Sequence, residues 1–449
     1  MDTIPPIVHL KSLTNTVSLQ ELIRQNHTDY LLVYTGTTQL HLAPYAIERM
    51  LQAARMSNAI MLYTDYCRTE GNTEKLIPTL EYQPGSLRDD FDFGPLQLYK
   101  VPEFTETVKE MDNHYQFAAL YDLRLRLSRK GGIVHLPEYL YTVTETDFRK
   151  SGEKQFDYVN PRNREVQIEM EKACTSHLQA IGARLTPRTR NIDTEAETFP
   201  TEASVIIPVK NRAGTIAEAV SSAMRQKTSF PFNIIVVDNH STDGTTTILQ
   251  KLSLTSQTLI HHIPSSRELG IGGCWNEAIL HPRCGKFAVQ LDSDDLYKNE
   301  YILQTIVDTF YHEKCAMVIG SYEMVNFRLE EIPPGKIDHR EWTPRNGHNN
   351  ALRINGLGAP RAFYTPVIRQ LKFPNVSYGE DYAVALAISR EYRIGRIFDS
   401  LYLCRRWEGN SDASLDIAKQ NQYNFYKDKI RTLELTARIN MNTTKNPDE

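Results

Sequence analysis

The chain has 449 residues, with 51 Lys and Arg against 55 Asp and Glu and a formal net charge of -4. This length allows two or three domains with cores of their own, and the balanced charge excludes a polycationic nucleic-acid-binding protein. The six cysteines lack C-x-x-C spacing, which argues against a disulfide frame or a zinc site. With no signal-peptide pattern and no apolar run as long as a membrane span, we expect a soluble, cytoplasmic protein.

The first 150 residues contain strand patterns such as "DYLLVY" and "NAIMLYTDY", and they resemble parts of the second half. "SRKGGIVHLPEYLY" (Ser128–Tyr141) aligns without a gap with "SREYRIGRIFDSLY" (Ser389–Tyr402). "VYTGTTQLHLAPY" (Val33–Tyr45) aligns with "VQLDSDDLYKNEY" (Val289–Tyr301), but every Asp of the cluster is replaced. These matches favour an internal repeat, with chance similarity of apolar residues as the alternative.

A helical segment and a polar segment separate the two halves. "REVQIEMEKACTSHLQAIGARL" predicts a connecting helix, and the Pro-punctuated "TPRTRNIDTEAETFPTE" after it predicts a domain boundary. We therefore expect a first domain over 1–150, a helical linker over 151–200, a second domain over 201–415, and a C-terminal helix and tail over 416–449.

The second half alternates between strand and helix patterns. "SVIIPV", "NIIVVDN" and "KFAVQLD" are predicted strands, and "TIAEAVSSAMRQ", "STDGTTTILQKL" and "NEYILQTIVDTFY" are predicted helices. Thr215 and Glu218 have the spacing of a capping box at the first of these helices. The alternation predicts an α/β fold with a doubly wound, mostly parallel sheet and ligands at the carboxyl ends of its strands.

Polar residues follow the predicted strands. The loop "PVKNR" can be an ordinary turn, and Asp238 at the end of "NIIVVD" can accept a hydrogen bond from a nucleobase or cap the next helix. The glycines Gly270, Gly272 and Gly273 lack the G-x-G-x-x-G spacing of a dinucleotide-binding loop.

The stretch "VQLDSDDLYK" places three carboxylates directly after a buried strand. Asp292, Asp294 and Asp295 repel one another and are costly to desolvate unless they share a cation. A solvated acidic loop is one interpretation. The other is a divalent ion, Mg²⁺ or Mn²⁺, that bridges Asp292 and Asp294 to a diphosphate, since carboxylate oxygens suit these metals.

Together with "GEDY" (Gly379–Tyr382), these motifs occur in the order and approximate spacing of family 2 glycosyltransferases with the GT-A fold. The resemblance covers about Ala203 to Ala413. It implies that Asp238 reads the nucleobase, that Asp292 and Asp294 hold ribose and metal, and that Asp381 is the catalytic base.

The same resemblance implies further site residues. Glu380 joins Asp381 as a catalytic residue. The donor-binding set adds Pro208, Lys210, Asn211, Arg212, Gly272, Asn276 and Arg405. Trp407 departs from the family, which often has a metal-binding His there, and a Trp cannot ligate a metal. The third metal ligand therefore stays open, and Arg405 or Arg406 is available to the diphosphate.

For the first half, the resemblance implies a shortened, degenerate GT-A-like domain without catalysis. "GTTQ" (Gly36–Gln39) stands where "DSDD" stands in the second half, and neutral side chains cannot hold a divalent ion. Too few residues precede Asp29 for two βα units, so the nucleobase-reading part is missing. Asp65 and Asp122 are relics of a site or, more commonly, caps.

These expectations combine into a metal-dependent, inverting glycosyltransferase. Its donor is a nucleotide-diphosphate sugar, with UDP as the first choice, and its acceptor is a glycan or lipid-linked saccharide. One alternative is a sugar-1-phosphate nucleotidyltransferase, although "IIPVKNRAGT" lacks the glycine-rich loop of those enzymes. The other is a non-catalytic protein that binds nucleotides or glycans. Peripheral membrane contact and the oligomeric state stay open.

Overall fold

The structure is a computed structural model that describes residues 5–9, 15–25, 28–71, 73–112, 114–144, 163–187, 189–340, 342–407 and 415–445. The expectations for 145–162, for 408–414 and for the last four residues lie outside the described residues. The chain divides into two compact units. Unit 1 comprises Met1–Leu185, Leu352–Asn355 and Leu415–Glu449, and unit 2 comprises Thr186–Ala351 and Gly356–Ser414.

Unit 1 is built around a seven-stranded sheet with the order β1-β2-β6-β4-β7-β3, in which β5 pairs with β4. Its strands are β1 (Ile7–His9), β2 (Tyr30–Tyr34), β3 (Leu40–Leu42), β4 (Met61–Glu70), β5 (Thr73–Ile77), β6 (Leu96–Lys100) and β7 (Ile133–Thr144). Its first helices are α1 (Thr16–Gln25), α2 (Ala46–Ser57), α3 (Val101–Lys109), α4 (Ala119–Leu127) and α5 (Arg164–Ala180). The predicted connecting helix is α5, and it belongs to unit 1.

Unit 2 contains a nine-stranded sheet with the order β10-β9-β8-β11-β15-β13-β16-β12, in which β14 pairs with β13. Its strands are β8 (Ala203–Val209), β9 (Phe232–Asp238), β10 (Leu259–His262), β11 (Phe287–Gln290), β12 (Leu296–Tyr297), β13 (Met317–Val325), β14 (Glu331–Ile337), β15 (Arg361–Tyr364) and β16 (Ile394–Arg405). The neighbouring pairs among β10, β9, β8 and β11 are parallel, and β15 runs antiparallel to β11 and β13. The α/β fold expected from the sequence is confirmed, and the sheet is mixed: four of the eight strand pairs in the described part of unit 2 are parallel, including β13 with β16.

Helices cover this sheet because each predicted helix buries one apolar face. They are α6 (Ile216–Met224), α7 (Thr245–Thr255), α8 (Ile271–Leu280), α9 (Ile302–Glu313), α10 (Gly347–Asn350), α11 (Thr365–Leu371) and α12 (Glu380–Glu391). The last helix, α13 (Ile417–Lys445), belongs to unit 1. No helix in the described ranges is long and apolar enough to cross a membrane.

The capping box expected at α6 is wrong. Thr215 is the N-cap residue, but its side chain makes no capping hydrogen bond. Glu218 forms an ion pair with Arg405 instead, because β16 brings that guanidinium to the start of the helix.

The two sheets share a strand pattern. The order β1-β2-β6-β4-β7-β3 in unit 1 corresponds to β8-β11-β15-β13-β16-β12 in unit 2. The parallel pairing of Met61 with Ile133 in β4 and β7 has its counterpart in Met317 with Ile394 in β13 and β16. The stretches matched in the sequence thus occupy equivalent positions, whereas β9 and β10 have no counterpart among the described residues of unit 1.

Candidate active site

The D-S-D-D turn follows β11 and is fixed by β16. The Asp292 amide donates to the Tyr402 hydroxyl at 2.8 Å, and the Arg405 amide donates to Asp295 Oδ1 at 2.8 Å. Within the turn, the Asp295 amide donates to the Asp292 carbonyl at 3.2 Å. The turn therefore has a defined shape, with Asp295 pointing inward.

Burial controls the protonation of two of these carboxyls. Asp295 is only 4% exposed. Burial, then the charges of Asp292 and Asp294, raises the pKa of Asp295 well above its usual range. Burial also raises the pKa of Asp292, while Arg361 and a hydrogen bond from Gln290 oppose the rise. Gln290 Nε2 lies 2.9 and 3.0 Å from the two carboxylate oxygens of Asp292.

The Asp294 carboxylate lies near one neutral N–H group and one guanidinium. Trp407 Nε1 donates to Asp294 Oδ2 at 3.2 Å, and Arg212 Nε lies 3.8 Å from the same oxygen. The Trp407 ring also packs edge-on against Phe327, with ring centroids 5.6 Å apart. Trp407 therefore acts here as an N–H donor to the carboxylate, where a histidine would offer a metal ligand.

Arg405 does not face a ligand. Its side chain is buried, its Nε donates to the Asp294 carbonyl, and its Nη1 pairs with Glu218. Its contacts hold the D-S-D-D turn from behind. The expectation that Arg405 reaches the diphosphate is not supported by this geometry, because its guanidinium is directed at protein groups.

The loop after β8 is tied to the turn after β9. Asn211 adopts a left-handed conformation with φ 56°, and its Oδ1 accepts from the Thr242 amide at 2.8 Å. The Arg212 amide donates to Thr245 Oγ1 at 2.8 Å, which directs the loop so that the guanidinium approaches Asp294. Pro208 is half-buried in β8, and Lys210 is exposed.

Asp238 ends β9, as predicted, but it is completely buried. Its carboxylate accepts hydrogen bonds from the Ser241 amide at 3.0 Å and Thr246 Oγ1 at 2.5 Å, and His261 Nε2 lies 3.2 Å away. Burial alone raises the pKa of Asp238, but the bonds from His261, Thr246 and Ser241 lower it below its usual range. Both oxygens of the Asp238 carboxylate are therefore engaged inside the protein and hold the turn after β9, whereas α7 has Gly244 as its N-cap residue and no side-chain capping hydrogen bond.

The glycines before and within α8 allow a close backbone approach. A Cβ at Gly272 would lie 1.9 Å from the Pro374 carbonyl oxygen, and the Gly272 amide donates to Val376 at 2.9 Å. Asn276 exchanges two hydrogen bonds with the Phe373 backbone, at 2.8 and 2.9 Å. Gly272 and Asn276 thus hold the segment that leads into α12.

The E-D pair opens α12, and Gly379 before it has φ 80°. Glu380 is 8% exposed, and its Oε2 has no hydrogen-bond partner among the described residues. Burial, then the neighbouring Asp381, raises the pKa of Glu380 to about 8. Asp381 lies on the more open side, 2.6 Å from the Nη1 of Arg361, and its Oδ1 accepts from the Tyr382 amide at 2.7 Å.

The structure brings together four of the predicted residues and one that the sequence reasoning missed. The charges of Asp294, Asp381 and Arg361 all influence the pKa of Asp292. The Arg212 guanidinium lies near Asp294. Arg361 was missed. Its signal in the sequence was a cation at the start of the apolar stretch "RAFY", 19 positions before Glu380.

The described residues offer few ligands for a divalent metal. The described residues contain no cluster of three or more Asp, Glu, His or Cys side chains suited to a metal. Mg²⁺ is commonly held through only one or two carboxylates, with substrate phosphates and water as the other ligands. Asp294, whose side chain is 13% exposed, can supply one such carboxylate.

The second half of the chain matches a known protein family. The sequence model of glycosyl transferase family 2 matches residues 204–370. The chain is 27% identical over 191 residues to a Bacillus subtilis (strain 168) protein named for teichuronic acid biosynthesis, the glycosyltransferase TuaG. That match covers 42% of this chain and 72% of TuaG.

Solved structures resemble the chain only distantly. The S. aureus TarS 1-349 complex with UDP-GlcNAc has a TM-score of 0.38 and 21% identity, covering 55% of this chain and 74% of that chain. A Pyrobaculum calidifontis mannosyltransferase with GDP-Man and Mn2+ has a TM-score of 0.38 and 16% identity, covering 64% and 86%. The match to the longer TarS structure covers 43% of its length. The family assignment rests on the sequence match.

Proposed function

We propose that unit 2, in which residues 204–370 match the sequence model of glycosyl transferase family 2, transfers a sugar from a nucleotide-diphosphate donor to a hydroxyl group with inversion. The donor we favour is a UDP-sugar, and the acceptor a glycan or lipid-linked saccharide. The observation that carries the proposal is the gathering of Asp292, Asp294 and Asp381 with Arg212 and Arg361.

In this proposal, Asp381 is the general base. The hydroxyl oxygen of the acceptor attacks the anomeric carbon while Asp381 accepts the hydroxyl proton, and the nucleoside diphosphate leaves from the opposite face. A carboxylate can do this when it is held in a fixed position beside the reacting hydroxyl. Glu380 is mostly protonated at neutral pH because of its raised pKa, so it serves as a neutral hydrogen-bonding neighbour.

The donor diphosphate is proposed to lie beside Asp294 and Arg212, which are 3.8 Å apart. Asp294 would hold Mg²⁺ or Mn²⁺, which neutralises charge on the leaving diphosphate when bound. Arg212 can contact phosphate oxygens directly, since a guanidinium offers paired N–H donors. Asp292 is proposed to reach the ribose. Asp238, Asn211, Gly272, Asn276 and Arg405 are proposed to support donor binding by holding the surrounding loops.

The test is a panel of UDP-, GDP- and dTDP-sugars, each with and without Mn²⁺, read by thermal shift and by release of nucleoside diphosphate. Ligand binding raises the unfolding temperature by mass action. Asp294→Ala should abolish the metal-dependent part of the shift. Glu300→Gln is the matched control, because the Glu300 side chain is half-exposed and pairs with Lys227 at 2.6 Å.

Each outcome of that panel has a meaning. A full set of donors with neither binding nor slow hydrolysis would contradict the proposal. Pyrophosphate release from a nucleoside triphosphate would favour a nucleotidyltransferase. Tight nucleotide binding without transfer to any acceptor would favour a binding protein. If Mn²⁺ still raises nucleotide affinity in Asp294→Ala, the metal assignment is wrong.

Unit 1 is proposed to be a non-catalytic copy of the same fold. It lacks counterparts of β9 and β10, the strands beside which a donor base would bind, among its described residues. Gly36 and Thr38 stand where the sequence match places Asp292 and Asp294.

A further inference from the structure

Arg361, the first residue of β15, forms an ion pair with the carboxylate proposed as the base. Its Nη1 lies 2.6 Å from Asp381 Oδ2 and 3.0 Å from the Gly358 carbonyl oxygen. The same nitrogen thus contacts both oxygens, and the bond to the Gly358 carbonyl holds Nη1 beside Asp381. Both groups keep some access to solvent, with side chains 20% and 26% exposed.

The second oxygen of Asp381 is also anchored. Its Oδ1 accepts a hydrogen bond from the Tyr382 amide in the first turn of α12. A carboxylate has about four lone-pair positions, so these two bonds set its orientation without using its capacity to accept a proton.

Arg361 also connects the base to the donor side of the site. Its backbone amide donates to Gln290 Oε1 at 3.0 Å, and Gln290 Nε2 donates to both oxygens of Asp292. Gln290 is 5% exposed, so its amide is held in one orientation by these bonds. A continuous set of polar contacts therefore runs from Asp381 through Arg361 and Gln290 to Asp292.

The charges around Arg361 show why a cation is needed there. Burial alone lowers the pKa of Arg361, but Asp381, then Asp292 and Glu380, raise it. Three acidic side chains thus converge on one guanidinium. Without it, the like charges of Asp292 and Asp381 would repel each other in a poorly solvated site.

Resting on the proposed function, we propose that Arg361 is a positioning residue for the transfer reaction. Its guanidinium orients Asp381 toward the acceptor hydroxyl and balances the carboxylates beside the donor. A positioning role predicts a loss of turnover with donor affinity retained, because the donor itself does not depend on the orientation of the base.

The experiment compares Arg361→Ala and Arg361→Lys in the full chain, with donor dissociation constants from calorimetry and turnover from donor hydrolysis or transfer. We expect Arg361→Ala to lower turnover about 10²-fold and to change the dissociation constant by less than about threefold. Arg361→Lys should recover part of the loss, because it restores the charge but not the forked geometry.

Chemical rescue separates positioning from general structural support. Guanidinium ion at a low, non-denaturing concentration should raise the turnover of Arg361→Ala in a saturable way and leave that of Asp381→Asn unchanged. Arg190→Ala is the control, since Arg190 makes an exposed ion pair with Glu391 at 2.7 Å. Guanidinium should not raise its turnover.

Failure of this inference differs from failure of the proposed function. A wild-type chain that neither binds nor hydrolyses any donor contradicts the function itself. An active wild type with near-normal turnover in Arg361→Ala overturns the positioning role. So does a dissociation constant that rises as much as turnover falls, which would make Arg361 a donor-binding residue. If Arg361→Ala does not fold, Arg361→Lys decides: wild-type turnover there overturns the positioning role of the guanidinium.

Discussion

Glu380 provides a prediction whose sign follows from burial. Its pKa rises from an ordinary 4.5 to about 8 in the folded chain. A carboxyl that binds its proton more tightly when folded stabilises the folded state less as pH rises through this interval. At about 1.4 kcal/mol per pKa unit, the shift corresponds to roughly 5 kcal/mol, as an upper bound. Glu380→Gln keeps the shape and has no proton to lose.

The assay is urea unfolding followed by tryptophan fluorescence at a series of pH values from 5 to 8. All three tryptophans, Trp275, Trp342 and Trp407, lie in unit 2, so their emission reports the unit that contains Glu380. Relative to the wild type, Glu380→Gln should be near neutral at pH 5 and increasingly stabilising toward pH 8. Glu300→Gln is the control, because the Glu300 side chain is half-exposed. Parallel pH dependence of the variant and the wild type would refute the reasoning.

Three further predictions concern the base, the glycine contact and unit 1. Asp381→Asn should lower turnover about 10²-fold or more with the donor dissociation constant little changed, measured by calorimetry and hydrolysis, and near-normal turnover would remove Asp381 from the mechanism. Gly272→Ala should destabilise unit 2 by about 1–3 kcal/mol in urea unfolding, because its Cβ would meet the Pro374 carbonyl oxygen, and an unchanged unfolding midpoint would contradict the close approach. Asp65→Asn and Asp122→Asn should lower the unfolding temperature but leave transfer per folded molecule unchanged, and loss of transfer with intact folding would identify a working site in unit 1.

The fold could be predicted from the sequence because burial imposes simple patterns of apolar residues on strands and helices. Strands such as "SVIIPV" and "NIIVVD" are apolar throughout since helices cover both sheet faces, and these strands appear as β8 and β9. The internal repeat was readable for the same reason, as the matched apolar residues occupy equivalent positions in β7 and β16. Core positions leave their pattern in the sequence even where the polar residues have been replaced.

The site was harder to predict because the spacing of residues along the sequence does not reveal where their side chains point. Arg405 follows an apolar strand and could have faced a ligand, but its guanidinium turns inward to Glu218 and the Asp294 carbonyl. Asp238 lies where a base-reading carboxylate was expected and is enclosed by Thr246 and His261. These outcomes depend on which neighbours satisfy each buried polar group, and those neighbours are distant in sequence.

Charge balance in the site bears on the metal. Burial raises the pKa of Asp295 well above its usual range and the pKa of Glu380 to about 8, and both shifts favour the neutral carboxyl. The remaining carboxylates are offset mainly by Arg212 near Asp294 and Arg361 beside Asp381. A donor diphosphate brings further negative charge to a region where these cations are already engaged, and like charges in a poorly solvated site are costly. A divalent cation carried in with the diphosphate offsets that charge, which is why we expect donor affinity, and not folding, to depend on Mn²⁺ or Mg²⁺.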